Sequence, residues 1–176
     1  MGGPRAVTYR SVAKRAGVAL GQVTYHYPAR VDLLTAAFEH HQAQLRANAR
    51  DLPVDALDSI SAKDQTSIVF GFLRMMATTD RLKYLAEFEL SLEMARDQQV
   101  RKRLTPATTV TYDMAVELLT AAHSSNPEAD GMIMSAAMEG LLLEWLARPD
   151  DPAHERRIEG AVARLLELMI PSSGHG

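Results

Sequence analysis

The sequence predicts an all-α protein, and two observations support that prediction. First, apolar residues recur with the helical period of about 3.6 residues in one segment after another, and β-branched and aromatic residues nowhere alternate long enough for a convincing strand. Second, helix-start signatures recur, because Asn126 and Asp151 each place a capping side chain directly before a proline, Pro127 or Pro152. We therefore expect helices throughout the chain.

The N-terminal part contains three predicted helices, which cover 9–16, 19–26 and 30–50. Thr8 is placed to cap the first of them, and Gly17 ends it because glycine accepts the left-handed conformation of a helix stop. Pro28 breaks the second helix. The segment that begins at Asp51 and contains Pro53 then marks a boundary.

Five further helices are predicted at 64–79, 81–96, 98–123, 127–147 and 152–170. In the first of these the apolar residues fall all round the helical wheel, so we expect other helices to surround it. Pro106 lies in the first turns of the helix at 98–123, where a kink or a restart is expected.

Composition and charge narrow the class of protein. The 176 residues contain no cysteine, which excludes disulfides and thiolate chemistry, and no apolar run is long enough to span a bilayer, so a cytoplasmic protein is expected. Residues 1–50 hold seven Lys/Arg against two Asp/Glu, a net charge of +5, whereas the remainder carries a net charge of −8. A basic N-terminal domain at 1–50 and an acidic domain at 51–176 suggest that only the first approaches a polyanion.

Two short helices that meet at a glycine turn have the arrangement of a helix-turn-helix. Val12, Ala13 and Ala16 are predicted to face inward from the first helix, and Val18 and Val23 to meet them from the turn and the second helix. The residues left on the outward face of the second helix are Ala19, Leu20, Gln22, Tyr25 and His26. A helix of that size enters the major groove of DNA end-on, so its first residues reach base edges.

This stretch resembles the DNA-binding segment of the tetracycline-repressor (TetR) family of bacterial regulators. The residues that carry the resemblance are Thr8, Arg10, Val12, Ala13, the run 16–18, Gly21, the run 26–28, Arg30, Leu33 and Leu34. The detailed similarity covers residues 3–38. It implies a DNA-binding domain followed by a larger helical domain that binds a small-molecule effector and forms a homodimer.

Three features depart from the family pattern. Ala19 stands where a Ser or Thr usually caps the second helix, and Thr24 stands where an aromatic residue is usual, with Tyr25 beside it. The family also has a helix before the position of Gly3, and only seven residues precede Thr8. Either this helix is not included in this chain or the protein lacks it. The sequence therefore predicts a helix-turn-helix domain whose first helix is apparently missing.

Candidate DNA contacts fall into two groups. Arg10 has the planar fork that hydrogen-bonds guanine, and Gln22 offers the donor and acceptor that match adenine, although both residue types also occur on ordinary solvated surfaces. Phosphate contacts are expected from side chains with a hydroxyl, imidazole or guanidinium group, namely Thr8, Thr24, Tyr25, His26 and Arg30. The predicted nucleic-acid partner is double-stranded DNA with a roughly palindromic operator.

The resemblance implies a ligand pocket among the central helices. Eight of the nine methionines lie beyond residue 50, and methionine adapts to varied apolar ligands, although ordinary core filling explains any single one. The candidate contacts of a largely apolar effector are Phe72, Met76, Tyr84, Phe88, Tyr112 and Met114.

The resemblance also implies that the last two helices of each subunit form a four-helix dimer interface. Small residues that permit close approach and apolar residues that supply area agree with this. The candidates are Ala136, Gly140, Leu142, Trp145, Ile158, Val162, Leu165 and Met169.

Other functions are less well supported by the residues. His40 and His41 point about 100° apart on a helix, so they do not easily share one metal ion, and neither a metal nor a cofactor is predicted. The glutamates at 87, 89 and 93 lack a partnered nucleophile, which disfavours an enzyme. The closer alternative is a ligand-sensing or partner-binding protein of the same fold that does not bind DNA, and the missing first helix is what motivates it.

Overall fold

The computed structural model describes residues 8–49, 60–104 and 110–170, and within those residues every regular element is an α-helix, as predicted. We number the helices in chain order. Their bounds are α1 Tyr9–Ala16, α2 Leu20–His26, α3 Arg30–Ala49, α4 Ala62–Thr78, α5 Arg81–Arg96, α6 Gln98–Leu104, α7 Val110–Ala121, α8 Pro127–Ala147 and α9 Pro152–Met169. Among these helices none is long and apolar enough to cross a membrane.

Helices α6 and α7 occupy the segment that was predicted as one helix at 98–123. The prediction of a kink or restart concerned Pro106, which lies outside the described residues. The boundary predicted from Asp51 and Pro53 lies outside them as well.

The chain divides into two compact units, and neither is continuous in sequence. The first unit takes its described residues from 1–44 and 82–107, and the second takes them from 45–81 and 108–176. Most of α5 and all of α6 thus group with the N-terminal helices. The division into domains at 1–50 and 51–176 stays a prediction.

The first unit is held together by an apolar cluster that joins distant parts of the sequence. Leu34 and Phe38 of α3 are buried together with Leu90 of α5 and with Val100 and Leu104 of α6. Because burying such side chains is the main driving force of folding, this cluster explains why α5 and α6 group with the N-terminal helices.

The second unit is built from α4, α7, α8 and α9. In it α7 packs against α8, and α9 packs against both α4 and α8. Leu73 of α4, Leu119 of α7 and Val162 of α9 are almost completely buried in this unit. The apolar pattern that runs all round α4 agrees with a helix that has neighbours on several sides.

The two helices that were predicted to begin at a proline are capped as expected. Asn126 Oδ1 accepts a hydrogen bond from the backbone N–H of Ala129 at 3.3 Å, and Asp151 Oδ1 accepts from the N–H groups of His154 and Ala153 at 3.0 and 2.9 Å. These hydrogen bonds, above all the one from the His154 N–H, stabilise the charged form of the Asp151 carboxyl and so lower its pKa from the usual 3.8. These caps fix where α8 and α9 begin.

Helices α7 and α8 pack closely at Gly131. A Cβ atom at this position would lie 2.6 Å from Val116 Cγ2 and 3.2 Å from the backbone nitrogen of Val116. The backbone of α7 has no freedom to retreat as a flexible side chain would. Only glycine therefore allows this helix separation.

We expect Gly131→Ala to lower the free energy of unfolding by about 1–3 kcal/mol, because the added methyl group overpacks the contact with Val116. Urea denaturation of the full chain measures the change. Gly71→Ala is the matched control, since a Cβ at Gly71 meets nothing within 4 Å. That control should stabilise α4 by about 0.5–1 kcal/mol, and equal destabilisation by both variants would argue against a close approach at Gly131.

Candidate functional site

Both ends of α1 are fixed by local hydrogen bonds. Thr8 Oγ1 accepts from the N–H of Ser11 at 3.1 Å, and Ser11 Oγ accepts from the N–H of Thr8 at 3.0 Å, which completes a capping box. At the other end Gly17 adopts a left-handed φ of 68°, and the N–H of Val18 bonds to the carbonyl of Ala13 at 3.1 Å. The predicted cap and the predicted glycine stop are confirmed, and together they turn the chain from α1 into α2.

The contact between α1 and α2 is smaller than the sequence predicted. Ala13 and Val23 are buried and Val12 is half-buried, as expected for the inner side of the pair. The prediction was wrong for Ala16 and Val18, which are exposed. Ala16 is the last residue of α1 and Val18 follows the turn, so both lie beyond the point where the two short helices cross.

The outward face of α2 is exposed as predicted. Its five residues, Ala19, Leu20, Gln22, Tyr25 and His26, are all solvent-exposed. Tyr25 is 81% exposed and Leu20 is 43% exposed, and the ring of Tyr25 lies edge-on to that of His26 with centroids 5.3 Å apart. This side of α2 is therefore not used in packing within the chain.

Gln22 has a local role that the sequence analysis did not foresee. Its Oε1 atom accepts a hydrogen bond from the backbone N–H of Ala19 at 3.2 Å. Ala19 itself has no side-chain acceptor, so Gln22 supplies half of a capping box at the start of α2. The amide that was predicted to pair with adenine is thus also the group that secures the first turn of its helix.

Three other predicted DNA-contact residues already have partners within the chain. Thr8 Oγ1 is used in its capping box, and Thr24 Oγ1 donates to the backbone carbonyls of Gly21 and Leu20 at 3.2 and 3.3 Å. Arg30 Nη1 bonds to Glu93 Oε1 at 2.8 Å, with 39% of the arginine side chain exposed. Arg10, by contrast, lies exposed on α1.

The histidine and glutamate side chains of α3 and α5 form structural contacts. Glu87 accepts from Gln42 Nε2 at 2.7 Å and lies 2.9 Å from His41 Nε2, and the His41 ring meets Tyr84 edge-on. His40 is exposed. Across the described residues, no group of three or more His, Asp and Glu side chains is arranged to hold a metal ion.

The second unit contains an apolar cavity of about 90 Å³ between α4, α7 and α8. Fourteen described residues line it, and eleven of them are apolar. Four of the eleven are methionines, which adapt their shape to different apolar ligands. The four are Met76, Met114, Met134 and Met138.

Half of the predicted ligand contacts line this cavity. Phe72, Met76 and Met114 are in its wall. Tyr112 is next to the lining residue Thr111 on α7 but is not itself in the lining, because successive residues on a helix point about 100° apart. Tyr84 and Phe88 belong to the first unit and do not line the cavity.

The polar part of the lining was missed by the sequence analysis. Glu139 of α8 lines the cavity, and its Oε1 atom accepts from Thr111 Oγ1 at 3.2 Å and from Ser135 Oγ at 3.5 Å. The signal was present in the sequence, because Glu139 is the one charged residue in the run 131–143. A charge in such an apolar stretch of helix requires a specific environment.

The predicted dimer contacts divide between two faces. Leu142, Trp145, Ile158 and Val162 are each no more than 3% exposed within the chain, so their side chains have no area left for a partner, and this part of the prediction needs correction. Leu142 lines the cavity, and Trp145 stacks on Phe70 with ring centroids 5.2 Å apart. The residues that retain exposed or partly exposed surface are Ala136, Gly140, Leu165 and Met169.

Exposed apolar residues instead form a stripe on the outer side of α8. Met132, Ile133 and Leu143 are 59%, 54% and 48% exposed. Ala136 and Gly140 lie between them on the same side, at the three- and four-residue spacing of one helix face. We call these five residues the α8 outer face.

The comparison with known proteins assigns the family. Residues 60–168 match the family model described as "Tetracyclin repressor-like, C-terminal domain". No curated protein matches the sequence. Because the match spans more than half of the chain, the protein belongs to the TetR family of regulators.

We expect Ala19→Ser to raise the free energy of unfolding by about 0.5–1 kcal/mol, because the hydroxyl supplies the missing half of the capping box on α2. Gln22→Ala should lower it, since the N–H of Ala19 then loses its partner. Chemical denaturation measures both changes. Ala16→Ser, which places the same hydroxyl on an exposed helix end, is the control, and an equal effect from both serines would rule out capping as the cause.

Proposed function

We propose that the protein is a dimeric transcriptional regulator that binds double-stranded DNA through α1 and α2 and is released from its operator by a small-molecule effector. The observation that carries the proposal is the exposed outward face of α2 in a chain whose residues 60–168 match the TetR-like C-terminal domain. We propose that it acts as a repressor in the cytoplasm, where it meets both DNA and metabolites.

The proposed DNA contact starts from α2 as the helix that enters the major groove. Gln22 is in the first turn of α2, the part of such a helix that reaches base edges. To pair with adenine its amide must leave the N–H of Ala19. Arg10 is exposed on α1. Tyr25 and His26 lie exposed in the last part of α2 and suit contacts to phosphates.

Arg30 is a weaker candidate for a phosphate contact than the sequence suggested. Its guanidinium is 2.8 Å from Glu93, and the carboxylate offsets the positive charge that would attract a phosphate. We keep Arg30 in the proposed surface as a positioning residue, because the ion pair ties the start of α3 to α5 within the first unit.

The proposed dimer contact is the α8 outer face. Its three large apolar residues supply area to bury, and Ala136 and Gly140 permit close approach of a second helix. On α9, Leu168 is 64% exposed and extends the apolar surface of the last two helices. This set replaces the four buried residues of the original prediction.

The proposed effector site is the cavity between α4, α7 and α8. Its apolar lining with one polar corner has the composition of small-molecule sites, in which a few polar groups fix the orientation of a mostly apolar ligand. The effector releases DNA if it binds more tightly to the protein conformation that does not fit the operator.

Selection of preferred sites from random double-stranded DNA tests the DNA-binding proposal. We expect the full chain to select a roughly palindromic motif, and Arg10→Ala and Gln22→Ala each to lose about 1–3 kcal/mol of discrimination at one base-pair position of each half-site. Affinity should fall steeply as salt is raised, because phosphate contacts release counterions.

Arg164→Ala is the control for charge alone, since it removes an exposed arginine of α9 that pairs with Glu167. It should select the same motif as the unaltered chain. If the unaltered chain selects no motif and binds DNA no better than a non-specific protein, the DNA-binding proposal fails. The same fold would then act as a ligand-sensing or partner-binding protein.

Sedimentation tests the dimer. We expect the pair Ile133→Glu and Leu143→Glu to give monomers, because burying each charge in an apolar contact costs about 2 kcal/mol or more. The control pair Leu82→Glu and Leu92→Glu changes two equally exposed leucines of α5 and should leave dimers intact. If the variant with Ile133→Glu and Leu143→Glu still forms dimers, the interface lies elsewhere.

A further inference from the structure

We propose that the first unit contacts DNA through a second surface, formed by Arg96 at the end of α5 and Lys102 of α6. Its ligand is the phosphate backbone of the same duplex that α1 and α2 bind. The inference rests on the proposed function and extends it, because it adds contacts outside the helix-turn-helix. These contacts supply affinity without sequence preference, since the phosphate group is the same at every base pair.

Basic residues are concentrated in a short run that the sequence analysis assigned to the acidic domain. Residues 96–103 contain four Lys/Arg against one Asp, a net charge of +3, although 51–176 as a whole carries −8. The structure groups α6 and the end of α5 with α1, α2 and most of α3 in the first unit. This positive run therefore belongs with the helices that are proposed to approach the polyanion.

Two ion pairs hold the run at the start of α3. Arg103 Nη1 lies 2.9 Å from Asp32 Oδ1, and the second oxygen of Asp32 accepts from the backbone N–H of Ala29 at 2.9 Å. Arg30 Nη1 lies 2.8 Å from Glu93 Oε1 of α5. Because α3 begins four residues after the end of α2, these two points are at most about 15 Å apart. The basic run is thus fixed close to the helix that is proposed to enter the major groove.

Lys102 points away from the core of the first unit. Val100 and Leu104 are buried in the apolar cluster, and successive residues on a helix are about 100° apart. Lys102 is midway between those two in sequence, so its side chain lies on the opposite side of α6, where it is exposed. Arg96, the last residue of α5, is exposed as well. An ammonium and a guanidinium group in these positions suit contacts to phosphates.

The helix dipole is the other explanation for a cation in the last turn of α6, because the last carbonyls of a helix carry partial negative charge. Lys102 is one of three basic residues in that turn. The two explanations predict different results. Dipole stabilisation affects the folding of α6, whereas a phosphate contact changes the affinity for DNA and its dependence on salt.

The salt dependence of DNA binding by the full chain tests the proposal, with the motif that the unaltered chain selects as the probe. Each phosphate contact contributes about 0.9 to the slope of log K against log salt concentration. We expect Lys102→Gln to reduce the magnitude of that slope by about one for each protomer bound, and to weaken binding about five- to ten-fold per protomer at about 0.1 M salt. Arg96→Gln should act in the same way, and both variants should select the same motif as the unaltered chain.

Lys63→Gln is the matched control, since Lys63 is an exposed lysine in the first turn of α4, in the second unit. It should leave the affinity and the salt slope unchanged. Ethylation of single phosphates in the probe then locates the contact. Ethylation at the contacted phosphates should weaken binding of the unaltered chain, and at the phosphate that Lys102 contacts it should no longer weaken binding of Lys102→Gln.

The outcomes separate this proposal from the proposed function. If the unaltered chain selects a motif but Lys102→Gln and Arg96→Gln both keep its salt slope, the second surface is overturned and DNA binding through α1 and α2 stands. An equal loss in Lys63→Gln, or a change in the selected base pairs in either variant, overturns it as well. If the unaltered chain binds no DNA, the proposed function and this inference fail together.

Discussion

Close packing between Val116 and the backbone of Gly131 sets the distance between α7 and α8, and the apolar cavity depends on that distance. Both helices line the cavity, and Thr111 of α7 reaches Glu139 of α8 across the same junction. The missing side chain at position 131 thus has an effect two turns further along α8. A wider junction would separate the hydroxyl from the carboxylate and open the cavity to water.

The sequence predicted the helices well because their ends are chemically marked. Thr8, Gly17, Asn126 and Asp151 are short-range signals, and each acts on backbone groups within a few residues of itself. The exposed face of α2 followed from the same local logic, since one buried valine, Val23, fixes the orientation of a seven-residue helix. Periodicity and caps are therefore sufficient for the fold class and for the face that we propose to meet DNA.

What the sequence did not predict depends on which side of a helix meets a neighbour. Helix α8 is apolar nearly all round, so its pattern did not separate Leu142, which is buried, from Leu143, which is exposed. The same ambiguity grouped Tyr84 and Phe88 with residues that line the cavity, although both belong to the first unit. Long-range packing settles such cases, and a single sequence carries little information about it.

The two sides of α8 have a consequence for how this protein can diversify. Met134 and Met138 line the cavity, whereas Met132, Ile133 and Leu143 lie on the exposed side of the same helix. Because the helical repeat separates the two methionines from the exposed residues, a substitution at Met134 or Met138 alters the cavity wall and leaves the α8 outer face unchanged. The shape of the cavity can accordingly change through single mutations on one side of a helix, while the exposed side is inherited unchanged.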